Sequence, residues 1–333
     1  MAATIKDIAK KTGLGLATIS SYLNGGNVRE ENRIKIEKAI KELHFEVNEI
    51  ARGLKTNKTK TIGVVIPELS NIFCTEIITI IEDILRNHGY AAIVCDCRTD
   101  SKLEKEAVKF LYKKRVDGII NMPVTADGSH LKSFVEKGKP IVLIDRKLNN
   151  IQSDCVLVDN ILAVKNAIEV LVKNGHEKIG MIAGPQDIFT AQERLLGYRL
   201  GLMEAGLIPK ERLIAYGDYT IKSGVEQLKE LVQNNPDMTA VVVSNGEMTV
   251  GALIGINELE ISIPEKLSVI GYDNIEFAKA VNPNLTIVTQ PTKEIAEHAA
   301  RIMLERLEGS KNPAETVKLP TEIVHGSSIK NLL

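Results

Sequence analysis

The sequence predicts an α/β protein in two parts: a small all-helical headpiece, then a larger two-lobed core of doubly wound parallel sheets. Three observations carry this. Apolar residues recur at helical spacing over residues 1–45, short β-branched runs alternate with amphipathic stretches from Thr61 onward, and that alternation begins afresh at Lys178. With 333 residues, 44% hydrophobic and 26% charged, the chain has apolar material for more than one core, which excludes a disordered or fibrous protein.

Thr4-Ile-Lys-Asp7 has the spacing of a capping box, so a helix starts at Ile5 and sets Ile5, Ile8 and Ala9 on one face. Gly13 closes it after Thr12, and Leu14 turns inward. A second short helix, about residues 16–23, buries Ile19 and Leu23. Two such helices around a glycine corner form a helix-turn-helix pattern. A third helix, roughly residues 30–43, adds Ile36, Ala39, Ile40 and Leu43 to a core that is marginal at about 45 residues.

Beyond Thr61, Ile62-Gly-Val-Val-Ile66 and residues 91–95, 118–120, 141–144 and 156–158 are near-continuous apolar strands, as expected when both sheet faces are covered. Val64 and Ile66 are core positions. Helices intervene at about 75–87, 102–114 and 129–137. The second cycle places strands at 178–184, 213–215, 240–243, 267–271 and 286–288.

The formal net charge of −1 conceals a split. Residues 1–60 carry twelve Lys and Arg against seven acids, a net of +5, which leaves 30 bases and 36 acids, a net of −6, for residues 61–333. Opposite-signed parts point to an anionic partner for the first, the alternative being a plain solvated helical face. No apolar run approaches a membrane span and the first residues lack a signal peptide's pattern, so a cytoplasmic protein with no membrane partner is expected. Four cysteines without a Cys-x-x-Cys pair read as small buried hydrophobes, and six histidines lack metal-ligand spacing. No metal and no cofactor are expected. Neither a Gly-x-Ser-x-Gly elbow nor a phosphate-binding loop is present, which argues against an enzyme.

Open α/β sheets bind ligands at the carboxyl ends of their strands. The polar residues there are Asp145-Arg146, Asp159-Asn160, Asn245 and Asp273, to which Arg194 and Tyr219 add a guanidinium and an aromatic face. Such a set suits a polyhydroxylated ligand. Each member has the alternative of being a helix cap or turn residue.

Thr4-Ile-Lys-Asp-Ile-Ala-Lys10, Ala17-Thr-Ile-Ser-Ser-Tyr-Leu-Asn24, Ala39-Ile-Lys-Glu-Leu-His-Phe45 and Asn48-Glu-Ile-Ala-Arg-Gly-Leu54 resemble the DNA-binding headpiece and hinge of the LacI/GalR family of bacterial repressors. The resemblance implies that the second helix enters the major groove of double-stranded DNA. Leu16, Ala17 and Ser21 would read base edges, with Thr18, Ser20 and Asn24 near phosphates and Thr4 in the same DNA-binding set. Thr18 and Ser20 have the alternative of being ordinary exposed helix residues. The family's usual Arg at position 21 is Ser here, which cannot bind guanine bidentately, so a different operator is expected. Gly15 replaces the usual Ser cap.

In the hinge, Asn48 would cap a helix that forms when two subunits meet on DNA. Ala51 would keep the paired helices close, and Leu54 would wedge into the minor groove. Val47 where the family has Pro, together with Gly53, weakens that helix off DNA. The alternative is a plain linker whose Leu54 packs on the core.

The remaining blocks, among them Val142-Leu-Ile-Asp-Arg146, Gln192-Glu-Arg-Leu-Leu-Gly-Tyr198 and Ile270-Gly-Tyr-Asp273, resemble the family's periplasmic-binding-protein-like core. Carried over by position, Arg194, Asn245 and Asp273 bind sugar hydroxyls, and Phe73, Asp145, Thr190 and Tyr219 line the same cleft. Gly246 stands where the family commonly has Asp, and the family's terminal Arg is replaced near Gly326.

The expected domains are a headpiece at 1–47, a hinge and linker at 48–60 and a core at 61–333. Within the core, one lobe takes residues 61–160 plus 291–319 and the other 161–290 plus 320–333. The resemblance implies a homodimer, with residues 73–87 as its face, that represses a carbohydrate-utilisation operon from a near-palindromic operator. Its effector is a sugar or sugar derivative, with a purine, nucleoside or phosphosugar as the alternative. The competing class, a sugar-binding protein of transport, needs export and has no use for residues 1–58.

Overall fold

The computed structural model describes residues 3–46, 58–273 and 275–333. The chain divides after Thr59 into two compact units.

Among the described residues the first unit holds three helices, α1 (Ile5–Thr12), α2 (Leu16–Leu23) and α3 (Glu30–Leu43), over the ranges expected from the sequence. The Asp7 carboxylate accepts from the Thr4 backbone N–H at 2.8 Å and from the Thr4 hydroxyl at 2.7 Å. Gly13 ends α1 in the left-handed region at φ 69°, where a side chain would be strained. Among its described residues only Ile8, Ile19, Ile36 and Ala39 form the fully buried core. Leu23, Ile40 and Leu43, expected inside, are covered only in part, because three short helices cannot enclose more. Tyr22 Oη donates to Glu37 Oε1 at 3.0 Å and Lys11 pairs with Glu42 at 2.6 Å, so α3 is tied to both of the other helices.

The second unit is built on two six-stranded sheets. The first comprises β1 (Thr61–Ile66), β2 (Ala91–Asp96), β3 (Gly118–Asn121), β4 (Ile141–Ile144), β5 (Asp154–Val158) and the late strand β11 (Thr316–Leu319). Its order is β11-β5-β4-β3-β1-β2, all parallel. The second sheet comprises β6 (Ile179–Ala183), β7 (Ile214–Tyr216), β8 (Ala240–Val243), β9 (Ser268–Tyr272), β10 (Thr286–Thr289) and β12 (Glu322–Val324), in the order β12-β10-β9-β8-β6-β7. The chain therefore passes between the sheets three times, after β5, after β10 and after β11.

Two differences from expectation lie at the edges. β12 runs antiparallel to β10. Neither β11 nor β12 was predicted, because both are short, half-exposed edge strands without a continuous apolar run. The helix expected at 129–137 is a 3-10 turn (Ser129–Leu131) followed by a short helix (Lys132–Glu136).

Both faces of both sheets are covered by apolar clusters. Val64 and Ile66 lie in the one that packs the helices Ile72–Asn87 and Thr292–Leu307 against the first sheet. Arg306 grips Asp154 with two bonds, Nε to Oδ2 at 2.8 Å and Nη2 to Oδ1 at 2.7 Å. The Glu315 N–H donates to the same carboxylate, so the returning segment is pinned to β5. Cys74, Cys97 and Cys155 are buried and Cys95 is half-buried, as small apolar residues. Among the described residues no helix is long and apolar enough to cross a membrane, and no three His, Cys, Asp or Glu side chains are grouped to hold a metal ion.

Candidate functional site

Parallel strands place their carboxyl ends, and the turns beyond them, along one edge of each sheet. In the second unit these turns enclose a cleft of about 320 Å³ lined by both sheets. Phe73, Asp145, Thr190, Arg194, Tyr219, Asn245 and Asp273, drawn from a stretch of two hundred positions, all border it.

Arg194 projects from the helix Phe189–Glu204 and is only 4% exposed. Its Nε donates to Asn160 Oδ1 at 2.8 Å, its Nη1 to the Ser244 carbonyl at 2.6 Å, and its guanidinium lies 4.1 Å above the Tyr272 ring. Burial works against this charge, but the surrounding oxygens of Tyr272, Tyr219, Asp273 and Asp145 outweigh it and raise its pKa. A guanidinium has five N–H donors, so the two structural bonds leave others for a ligand.

Burial pushes the Asp273 carboxyl up to about 6, partly offset by Arg194 and by Gln290, whose Nε2 donates to Oδ1 at 2.9 Å. Asn245 caps the helix Gly246–Glu258 by accepting from the Met248 N–H at 3.1 Å, while its Nδ2 donates to Glu247 Oε2 at 2.7 Å. It is thus a cap and a cleft residue at once. Thr190 is buried in the first turn of its helix. The Tyr219 ring lies against Gly184, where a Cβ would come within 2.3 Å of it.

Two features set the cleft apart from the rest of the unit. Asp145 Oδ1 and Gln290 Oε1 are buried there without a hydrogen-bond partner, each at a cost of about 1–3 kcal/mol. Among the described residues, five of the nine non-glycine residues with positive φ also border it: Arg98, Thr99, Asp145, Tyr219 and Asp273, at φ 48–69°. Backbone strain held at one place is characteristic of a working site.

Asp159 and Asn160, also flagged at a strand end, do not line the cleft. Asp159 caps the helix Asn160–Lys173, and Asn160 holds Arg194. Asn71, Arg98, Glu247 and Gln290 do line it and were missed. The strand-end rule, applied also to β2 and β10, finds Arg98 and Gln290.

In the first unit, α2 exposes Leu16, at 47%, and Ala17, while Thr18, Ser20 and Ser21 are half-buried. Gly15 begins the helix without a side-chain cap. Asn24 is exposed at its end and donates from Nδ2 to the Ser20 carbonyl at 2.7 Å. Thr4 is exposed and bound to Asp7. Asn48, Ala51 and Leu54 lie outside the described residues.

The profile described as "Bacterial regulatory proteins, lacI family" matches residues 4–48, and that of a "Periplasmic binding protein-like domain" matches residues 168–329. The catabolite control protein A of Priestia megaterium is 32% identical over 332 residues, covering 99% of this chain and all of that one. A solved complex of the transcriptional regulator CelR with cellobiose is 29% identical, with a TM-score of 0.75, covering 98% of this chain and 99% of that one. The lac repressor dimer bound to operator and the anti-inducer ONPF has a TM-score of 0.87 at 24% identity, covering 99% of this chain and all of that one, a likeness of fold.

Proposed function

The chain belongs to the lacI family of bacterial regulatory proteins, and from that premise we propose a homodimeric repressor of carbohydrate-utilisation genes whose operator affinity is set by a sugar in the cleft. It is a DNA-binding transcriptional regulator, and no catalytic step belongs to this reading. We assign residues 1–47 to the DNA-reading headpiece, 48–60 to the hinge and 61–333 to the effector-binding and dimerisation core. A regulator of this kind works on DNA in the cytoplasm.

The observation that carries the effector assignment is the convergence of Arg194, Asn245 and Asp273 beside orphaned polar atoms and the rings of Phe73 and Tyr219. Guanidinium, amide and carboxylate give fixed donors and acceptors for ring hydroxyls, and aromatic faces cover the apolar side of a sugar. Five carboxylates (Glu68, Asp145, Asp218, Glu247, Asp273) face three guanidinium groups in the cleft, which favours an unphosphorylated sugar over a phosphosugar. Cellobiose, the ligand of the CelR complex, is such a sugar.

On DNA, the exposed Leu16 and Ala17 contribute apolar contacts, thymine methyls among them, while Thr4, Thr18, Ser20, Ser21 and Asn24 offer short polar groups. The +5 charge of residues 1–60 then supplies affinity more than sequence choice. Ligand and operator communicate by linkage: a sugar that binds one lobe arrangement more tightly shifts the chain toward it, and sugar and operator then change each other's affinity by the same factor.

A thermal-shift screen of sugars, sugar phosphates and nucleosides tests the assignment. An unphosphorylated sugar raises the melting temperature of the wild-type chain and not of Asp273→Ala. Stabilisation by nucleosides or phosphosugars alone overturns it.

A further inference from the structure

Glu247, one of the five cleft carboxylates, also touches both sides of the cleft. Its Oε1 accepts from Asn71 Nδ2 at 2.8 Å and its Oε2 from Asn245 Nδ2 at 2.7 Å. Asn71 belongs to the part of the chain that builds the first sheet, and Asn245 to the part that builds the second. Each of these amides spends its own oxygen on a helix. Asn71 Oδ1 accepts from the Cys74 N–H at 3.1 Å at the start of the helix Ile72–Asn87, and Asn245 Oδ1 accepts from the Met248 N–H at 3.1 Å at the start of Gly246–Glu258. One carboxylate therefore joins the first turns of two long helices from opposite lobes.

We propose that Glu247 is a positioning residue of the cleft, a bridge that aims the Asn245 amide and ties its lobe to the helix Ile72–Asn87. Both Glu247 oxygens are committed to amide donors, so a ligand hydroxyl entering at Asn245 has to share or take over one of these bonds. The event is felt at Asn71, and through its cap at the helix that the family resemblance makes the dimer face. The link from ligand to dimer rests on the effector reading; the bridge itself does not.

The amide–carboxylate–amide order also gives the test. Glu247→Gln leaves one acceptor for two amide donors, and Asn71→Asp sets two carboxylates against each other while keeping a residue that caps well. Each single substitution breaks the bridge. Combined, they restore it with donor and acceptor exchanged: the new amide donates to the new carboxylate and its oxygen still accepts from Asn245. Small-angle scattering and urea unfolding of the full ligand-free chain read the result. We expect each single variant to widen the scattering profile and lower the urea midpoint, and the double variant to return both to wild-type values. A double variant as perturbed as the two singles added together overturns the proposal, as do single variants whose scattering is unchanged. Neither reading uses a sugar, so a sugar screen without a hit counts against the effector assignment and leaves the bridge standing.

Discussion

Gln290 donates from Nε2 to Asp273 Oδ1 at 2.9 Å, joining the turn after β9 to the residue at which the chain leaves the second sheet. The bond holds a carboxylate whose burial pushes its pKa from 3.8 up to about 6. A raised pKa means that the folded chain keeps this proton more tightly than the unfolded one. This group's contribution to ligand-free stability is therefore greatest below about pH 4 and declines as pH rises through about 6. Asp273→Asn should raise the ligand-free melting temperature at pH 7. Sugar binding needs the ionised carboxylate as acceptor, so wild-type affinity should weaken as pH falls below about 6. Calorimetric titration at pH 7.5 and pH 5.0 checks this; a wild-type affinity equal at both pH values would refute it.

Arg194 is held by Asn160 and the Ser244 carbonyl at once, which a lysine, with one compact ammonium, cannot reproduce. Arg194→Lys should lose more than tenfold in sugar affinity and lower the urea midpoint, because the ammonium keeps the charge but cannot serve Asn160, the Ser244 carbonyl and a ligand together. An affinity within twofold of wild type would show that the guanidinium is structural only.

The headpiece core rests on four fully buried residues. Ile19→Ala removes about 2–4 kcal/mol, most of what a unit of that size has. Operator binding should be lost while the thermal transition of residues 60–333 stays in place, since each unit is compact with its own core. Calorimetry tells the two apart, and a loss of stability shared by both units would contradict it.

Leu54→Ala should abolish specific operator binding and keep weak, salt-sensitive binding to any duplex, because charge supplies the second and the apolar wedge the first. Retardation assays at two salt concentrations measure both. An unaltered specific affinity would remove Leu54 from the DNA contact.

The elements were legible where a local signal exists. Thr4 with Asp7, and Gly13, set the ends of α1, and the continuous apolar runs set ten strands. The edge strands β11 and β12 lack such a signal because pairing, not composition, makes them strands. Within the cleft, strand ends pointed to Asp145, Asn245 and Asp273, but nothing local joins Asn71 to Glu247, 176 positions apart. Gly246 read from sequence as a lost carboxylate. In the fold a Cβ there would meet Asp273 Cβ at 3.5 Å, an ordinary contact, and Glu247 brings a carboxylate to the cleft one residue later. Gly326 differs: a Cβ there would come within 2.3 Å of the Asn284 carbonyl, so close backbone approach demands glycine.

The central claim is that occupancy of the cleft sets operator affinity. Its most direct measurement is a fluorescence-anisotropy titration of an operator, selected from a random duplex library, against wild type and Asp273→Ala, with and without the sugar that raises the melting temperature. Saturating sugar should change operator affinity about fivefold or more in wild type and not at all in Asp273→Ala. Equal wild-type affinities with and without saturating sugar would contradict it.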